Sequence, residues 1–277
     1  MTMDTLNTPS PQQITLAPFG PEHIAGALRL SQQAGWPHRF EDWALTLTTA
    51  QGVVALDGDQ IVGTALCSDF GDVATLNMII VDEACRGRGL GRRLMDAIMA
   101  LGQGKTLRLV ATKDGLPLYE KLGFVAHGQI HQYQGIAQAH APEQTVKKGK
   151  ADLHDLTKID QTASGMSRYQ LLEEIASTGT VLTTAGGFAM LRDFGRGMVV
   201  GPVVAEDAIA ARALIDAAAT QAKGKFLRID LTSDALGGHM ETLGLTHVGG
   251  GTAMQMPAHV PHPTPFKTFA LVSQALG

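Results

Sequence analysis

Cysteine is scarce in this chain: Cys67 and Cys85 are its only two in 277 residues. A disulfide framework is therefore excluded, and a reducing, cytoplasmic setting is expected. Cys67 sits in an apolar strand-like run and reads as core. Aromatic residues make up only 5%, so any core must be mainly aliphatic. No sign of charge dominates: the net charge is −4, the pI is near 6.2, and no long basic stripe marks a nucleic-acid partner. No apolar run approaches the ~20 residues needed to span a membrane. The N-terminus lacks a basic stretch followed by an apolar core, so neither a secretory signal nor a membrane partner is expected. Residues 1–13 read as a polar, flexible tail. The ten histidines show no zinc-type spacing, and His259 and His262 flank Pro261 in a loop-like stretch, so no metal is expected.

What is present is 44% hydrophobic residues and 32 glycines, a composition suited to an α/β chain with many turns. The apolar run Leu76 to Val81 feeds a turn with three alternating glycines, Arg86-Gly87-Arg88-Gly89-Leu90-Gly91-Arg92. Leu90, Leu94, Ala97, Ile98 and Leu101 then recur at helical spacing on one face. A strand that ends in a tight glycine turn and opens into a helix aims unpaired N–H groups and the positive end of a helix dipole at one point, which suits phosphate. Glycine lets a pyrophosphate approach the backbone, and the arginines add cationic donors. The spacing is neither that of dinucleotide loops nor that of nucleoside-triphosphate loops.

The form Arg86-x-x-Gly89-x-Gly91 resembles the acyl-CoA pyrophosphate loop of the GCN5-related N-acetyltransferases (the GNAT superfamily). Downstream, Leu116-Pro117-Leu118-Tyr119-Glu120-Lys121-Leu122-Gly123-Phe124 resembles the late helix and Leu-Gly-Phe corner of that family. The strand Leu107 to Thr112 lies between the two, in the family's order. Thr112 departs from an asparagine that is frequent at its position.

The chain also repeats itself. Residues 94–114 and 214–234 align without a gap at an offset of 120, with nine identities in twenty-one positions. The alignment extends back to Met78–Val81 on Met198–Gly201 and forward to the corner at Leu243-Gly244-Leu245. The expected architecture is therefore α/β, with two tandem GNAT-like domains, each a mixed sheet flanked by helices. The divisions expected are a tail at 1–13, a catalytic domain at 14–135, a linker at 136–163 with a short strand near Leu153, and a degenerate copy at 164–277. Residues 124–133 are expected to close the first sheet. In the second copy Arg86 to Gly91 become Glu206, Asp207, Ala208, Ile209 and Ala211 at the loop positions, and Tyr119 falls on Met240. Carboxylates facing a pyrophosphate are unfavourable, so chemistry is expected in the first half only. Gly186-Gly187 and Gly201-Pro202 are candidates to shape a cleft in the second.

The resemblance implies acetyl transfer from acetyl-CoA to a primary amine by direct attack. In its terms Arg86, Gly87, Arg88, Gly89, Leu90, Gly91 and Arg92 bind the pyrophosphate. Ile79, Ile80 and Val81 pair with the pantetheine amides, and Leu116 and Lys121 lie near the cofactor's outer end. Tyr119 is a general acid for the CoA thiolate or an aromatic that packs on the cofactor. Asn77 lies where some relatives carry an acid, and an amide is no base at neutral pH. Asp69, Asp72, His127 and His131 are open candidates for the base. Trp36 and Arg39, between the first two helices, are candidates for the acceptor site, with a core-capping role open for Trp36 and Trp43. A small metabolite or amino-acid-like acceptor leads; protein lysines or N-termini, or a non-catalytic acyl-CoA sensor, are the alternatives. The repeat makes a monomeric pseudo-dimer or weak homodimer the expected assembly.

Overall fold

The computed structural model describes residues 14–257 and 263–277; the N-terminal tail and the stretch His259 to His262 lie outside them. The first half runs β1 (Thr15–Pro18), α1 (Ile24–Gln33), α2 (Phe40–Leu47), β2 (Ala50–Asp57), β3 (Gln60–Phe70), β4 (Val73–Val81), α3 (Leu90–Leu101), β5 (Thr106–Ala111), α4 (Leu116–Lys121) and β6 (Val125–Ile136). Gly58, at φ +60°, turns β2 into β3 where side chains are disfavoured. Of the predicted face of α3, Leu90, Leu94 and Ile98 are buried, joined by Met95, whereas Leu101 at the end of the helix is 44% exposed.

The second half runs β7 (Lys147–Lys148), α5 (Leu153–Ser164), α6 (Tyr169–Thr178), β8 (Thr180–Thr184), β9 (Gly187–Phe194), β10 (Gly197–Ala205), α7 (Ala208–Gln221), β11 (Phe226–Leu231), α8 (Gly237–Thr242), β12 (Leu245–Met256) and β13 (Lys267–Ala270). The strand expected near Leu153 is instead the helix α5. Asp152 caps it by accepting from the amides of His154 and Asp155 at 2.9 and 3.4 Å, and Leu156 is buried at helical spacing from Leu153.

Among the described residues the strands form one mixed sheet in the order β1-β2-β3-β4-β5-β12-β6-β11-β13-β10-β9-β8-β7. Residues 124–133 therefore do not close the sheet of their own half. β12 of the second half pairs antiparallel with β5, from Thr252 opposite Ala111 to Met256 opposite Leu107. In return β6 pairs with β11, from Phe226 opposite Ile136 to Leu231 opposite His131. Each half thus donates its equivalent long strand to the other, and the two donated strands pair with each other. Both strands have twelve residues and follow the same corner in the repeat, so length and order do not choose between the own and the exchanged partner.

The cores follow the exchange. Met254 of β12 is fully buried in the first half's core, with Leu107, Leu109 and Phe124. Tyr133 of β6 is buried in the second half's core, with Leu227, Ile229 and Leu231. Tyr133 also donates its hydroxyl to Asp234 Oδ1 at 2.6 Å. No helix among the described residues is long and apolar enough to cross a membrane.

Because each core contains a strand of the other half, chemical denaturation is expected to give one cooperative transition. Met254→Ala should shift that whole transition by ~2–4 kcal/mol. Two resolved transitions, or a Met254→Ala effect confined to one of them, would contradict the exchanged cores.

Candidate active site

β4 and β5 run parallel but pair only from Val73 opposite Thr106 to Thr75 opposite Arg108. Beyond that point they diverge, and residues 76–81 of β4 have no ladder partner on this side. On its other side β4 carries a bulge. Thr64 stands opposite Ile80 and Leu66 opposite Asn77, so Met78 and Ile79 share a single partner position on β3. Met78 adopts φ +50°, a left-handed conformation rare outside glycine. Its carbonyl accepts from the Thr64 hydroxyl at 2.7 Å. The sequence carries no signal for this strained residue.

At the end of β4 the glycine loop turns into α3. Gly87 and Gly89 have φ +75° and +77°, which is why glycine stands at both positions. Gly89 is the N-cap of α3 and supplies no side-chain acceptor. Among the described residues the amides of Gly87 to Arg92 have no hydrogen-bond acceptor; the first helical bond runs from Arg93 to the carbonyl of Gly89 at 3.1 Å. The loop is thus a cradle of free N–H groups at a helix N-terminus. Of its arginines, Arg92 pairs with Asp96 at 2.9 Å and Arg93 donates to the carbonyl of Ile14 at 3.0 Å. Arg86 makes a long contact of 3.4 Å to the carbonyl of Val81, and Arg88 is exposed. A Cβ placed on Gly91 would sit 3.5 Å from Leu118, so α4, with Leu116 and the exposed Lys121, packs beside the loop.

The second half shows the same geometry with its vacancies filled. Asp207 accepts from the amides of Ile209 and Ala210 at 2.9 and 2.8 Å, so a carboxylate already sits at the N-terminus of α7. The equivalent divergence of β10 and β11, which pair only at Met198 and Val199, is occupied by β13. Gly201 permits this, since a Cβ there would lie 1.9 Å from the carbonyl oxygen of Leu271. The free amides and open gap of the first half fit an acyl-CoA; those of the second do not.

A cavity of about 380 Å³ opens where β4 and β5 separate. Trp36, Asn77, Ile79 and Tyr119 line it from the first half. Tyr119 is 7% exposed, and burial pushes its hydroxyl up to about 12, so it stays protonated at neutral pH. Asn77 donates to Ser68 Oγ and to the carbonyl of Thr75 at 3.0 and 3.1 Å. Its buried Oδ1 has no partner among the described residues, and the same holds for Nδ1 of His38 beside it in the lining. Burial draws the His38 imidazole down to about 4.

The other wall comes from residues that sequence reasoning did not single out. Gln132 and Gln134 of β6, Phe194, Arg196, Arg228 and the segment Ser273 to Ala275 complete the lining. Arg228 donates two bonds of 3.0 Å to the fully buried Asp230. Gln274 bridges Asp230 and Gln132 at 2.9 and 3.1 Å. The guanidinium carbons of Arg192 and Arg228 stand 5.1 and 5.3 Å from the centre of the Phe194 ring.

Arg39 does not line the cavity. Its guanidinium holds Asp42 at 3.1 Å and the carbonyl of Asp193 at 3.0 Å, fastening α2 to the second half. Burial alone would raise the Asp42 carboxyl, but bonds from Arg39 and from the amide of Gly195 hold it below its usual value. The signal was present: an acid three residues after Arg39 is a helix N-terminal capping pattern. Trp43 lies fully buried in the core, bonded to Ser31 Oγ at 3.1 Å. Asp69 is paired with Lys105 and lines a different cavity with Ser167 and Arg168. Asp72, His127 and His131 line neither cavity. His131 stands 3.8 Å from Asp234. Both cysteines are free and buried.

Two different family models, each described as an Acetyltransferase (GNAT) domain, match the chain, one over residues 48–126 and the other over 156–264. The Bacillus subtilis (strain 168) protein named uncharacterized N-acetyltransferase YitH is 33% identical over 235 residues, covering 77% of this chain and 80% of its own. A crystal structure from Pyrococcus horikoshii superposes with a TM-score of 0.82 at 18% identity, covering 100% of both chains. A tandem GNAT protein from the clavulanic acid biosynthesis pathway gives 0.63 at 12% identity, over 90% of this chain and 100% of that one. This chain belongs to the GNAT family, as a tandem member. It is an N-acetyltransferase, and domains of this kind take acetyl-CoA as donor.

Two predictions arise here. Gly89→Glu puts a carboxylate into the amide cradle and should weaken acetyl-CoA binding, read by calorimetry, at least ~100-fold; unchanged affinity would place the donor elsewhere. The unfolded chain protonates His38 near 6.5 whereas the folded chain resists until about 4. Stability contributed by this group is therefore complete above 6.5 and declines as pH falls toward 4, by roughly 3 kcal/mol in all. His38→Gln should flatten the acid side of a urea-midpoint profile by a corresponding amount.

Proposed function

We propose that the chain transfers an acetyl group from acetyl-CoA to the primary amine of a small metabolite or amino-acid-like acceptor, by direct attack in the first half. The observation that carries this reading is the cavity itself. It joins Tyr119 and the bulge of β4 to a wall built by β6 together with residues of the second half, and its volume suits a small molecule. An extended peptide needs an open groove, and here Phe194, Arg228 and Gln274 stand across from Asn77 and Tyr119. Arg196 is exposed at the lining and has no ion pair among the described residues, which favours an acceptor with a carboxylate.

In this reading the pyrophosphate lies on the amides of Gly87 to Arg92, with Arg86 and Arg88 as cationic donors. The pantetheine adds to the free edge of Ile79, Ile80 and Val81 as a further strand. Leu116 and Lys121 on α4 flank its outer part. Holding the thioester beside the amine makes the attack effectively intramolecular. The amine nitrogen bonds to the carbonyl carbon, and the oxyanion that forms is met by N–H groups freed at the bulge. As the C–S bond breaks, Tyr119 gives its proton to the departing thiolate. Asn77 Oδ1 accepts from the amine and orients it. His38 Nδ1, buried in the same lining without a partner among the described residues, relays the released proton toward solvent. The exchanged strands supply within one chain the sheet partner of a dimer, so a monomeric pseudo-dimer is the assembly we infer. Two free buried thiols suit the cytoplasm.

Tyr119→Phe should lower kcat ~100-fold with an amine that turns over, and leave acetyl-CoA affinity within ~3-fold. An assay of released CoA thiol across a panel of amines measures this. Full activity in Tyr119→Phe removes the general acid. Acetyl-CoA binding without turnover of any small amine would replace the enzyme reading of this cavity with a sensor or a macromolecular acceptor.

A further inference from the structure

On the far side of the second half lies a cluster that acetyl transfer does not use. Asp216 of α7 is 1% exposed. A buried carboxylate needs a cationic or strongly donating partner, yet no lysine or arginine reaches it among the described residues. Its partners are two imidazoles from two other elements. His239 Nε2 of α8 stands 2.6 Å from Oδ1, and His140 Nδ1, from the connection between the halves, stands 3.3 Å from Oδ2. The three candidate donor atoms lie within 4.8 Å of one another.

The backbone around His140 is held in place independently of its ring. Thr220, one helical turn beyond Asp216 on α7, donates its hydroxyl to the carbonyl of His140 at 2.8 Å. The Thr220 hydroxyl oxygen in turn accepts from the amide of His140 at 3.1 Å. The rings of His140 and His239 meet edge to face at 5.4 Å between centroids. Two neutral imidazoles and one carboxylate form a donor set suited to a borderline divalent transition ion, with about 2.0–2.1 Å to each atom. A tetrahedral site with such bonds spaces its donor atoms about 3.3 Å apart, so the 2.6 Å pair must open and the widest pair, within 4.8 Å, must close by at most about 1.5 Å, changes that side-chain rotations supply. His140 is exposed, which leaves a side open for water as a further ligand and a path for the ion.

We propose that His140, Asp216 and His239 form a binding site for a divalent transition ion, Zn²⁺ by its chemistry, that clips the connection between the two halves onto α7 and α8. The role is structural: the ion joins three elements that pack against one another and leaves acetyl transfer unchanged. Sequence spacing hid the site because its ligands fall in three separate elements.

The test uses the full chain with any affinity tag removed, titrated with Zn²⁺ by calorimetry and with Co²⁺ by visible absorption. One ion per chain is expected, with a Kd on the order of micromolar and Co²⁺ bands of a low-coordinate nitrogen and oxygen site. His239→Ala and His140→Ala should each weaken it at least ~10-fold. Because His140 is exposed, that variant remains folded and keeps its acetyl-transfer rate. Bound Zn²⁺ should raise the Tm of the parent chain but not of His140→Ala. Absence of binding up to ~100 µM would overturn the proposal. So would binding that survives both histidine variants, or that disappears only in His259→Ala or His262→Ala.

Discussion

Everything at the active site depends on where β12 lies. By pairing with β5 it extends the first half's sheet with a strand of the second, and by pairing with β6 it joins both sheets into one. That arrangement carries Val248 and Gly250 of β12, and Arg228 of β11, to the mouth of the gap between β4 and β5. Had each half closed its own sheet, the residues from the second half would have no fixed position relative to Tyr119. The backbones approach closely enough to demand glycine: a Cβ on Gly250 would lie 1.7 Å from the carbonyl oxygen of Ile130, and one on Gly135 2.2 Å from that of Gly244. Register here is set by main-chain contact as well as by side-chain packing.

The two halves solve one electrostatic and hydrogen-bonding problem in opposite ways. A helix N-terminus facing a diverging pair of parallel strands leaves backbone donors that must find partners. In the first half they are left at the surface, where acetyl-CoA can meet them. In the second they are met internally, the helix amides by Asp207 and the strand edges by β13. The substitution of acids for the loop arginines and the insertion of a strand into the gap are two parts of the same change. A half that no longer has to open for a ligand can serve as a fixed wall.

The parts of the fold that were legible in the sequence are those with a local cause. Glycines at alternate positions, the 3.6-residue period of α3 and the Leu-Gly-Phe corner each act within a few residues, and the repeat multiplied the signal. The helix at Leu153 was missed because a polar stretch before it hid the capping aspartate, Asp152. Arg39 was read as a ligand contact although Asp42 lay three residues on. The exchange of β6 and β12 is not legible in the sequence, since two strands of equal length at equivalent places in the repeat can take either partner and only the tertiary arrangement decides. For the same reason the sequence does not single out Phe194, Arg228 and Gln274, which line the cavity only because the halves are joined.

This division explains why the sequence carries a signal for a donor loop and none for an acceptor site. Acyl-CoA presents a pyrophosphate and amides, groups that backbone amides recognise, and the local conformation that frees those amides leaves a glycine trace. The cavity proposed for the acceptor is lined by side chains from the α1–α2 connection, the two exchanged strands and the segment after β13. No single stretch holds enough of them to form a motif. Their positions are fixed by long-range constraints: Arg39 and Asp42 anchor α2 to the β9–β10 turn, and Gln274 ties the end of the chain to Asp230 and Gln132. A change in acceptor preference can therefore arise from substitutions in the second half that leave the loop, Tyr119 and the thioester geometry untouched. In the proposed reading the degenerate copy thus selects the amine, while the donor is held by the first half.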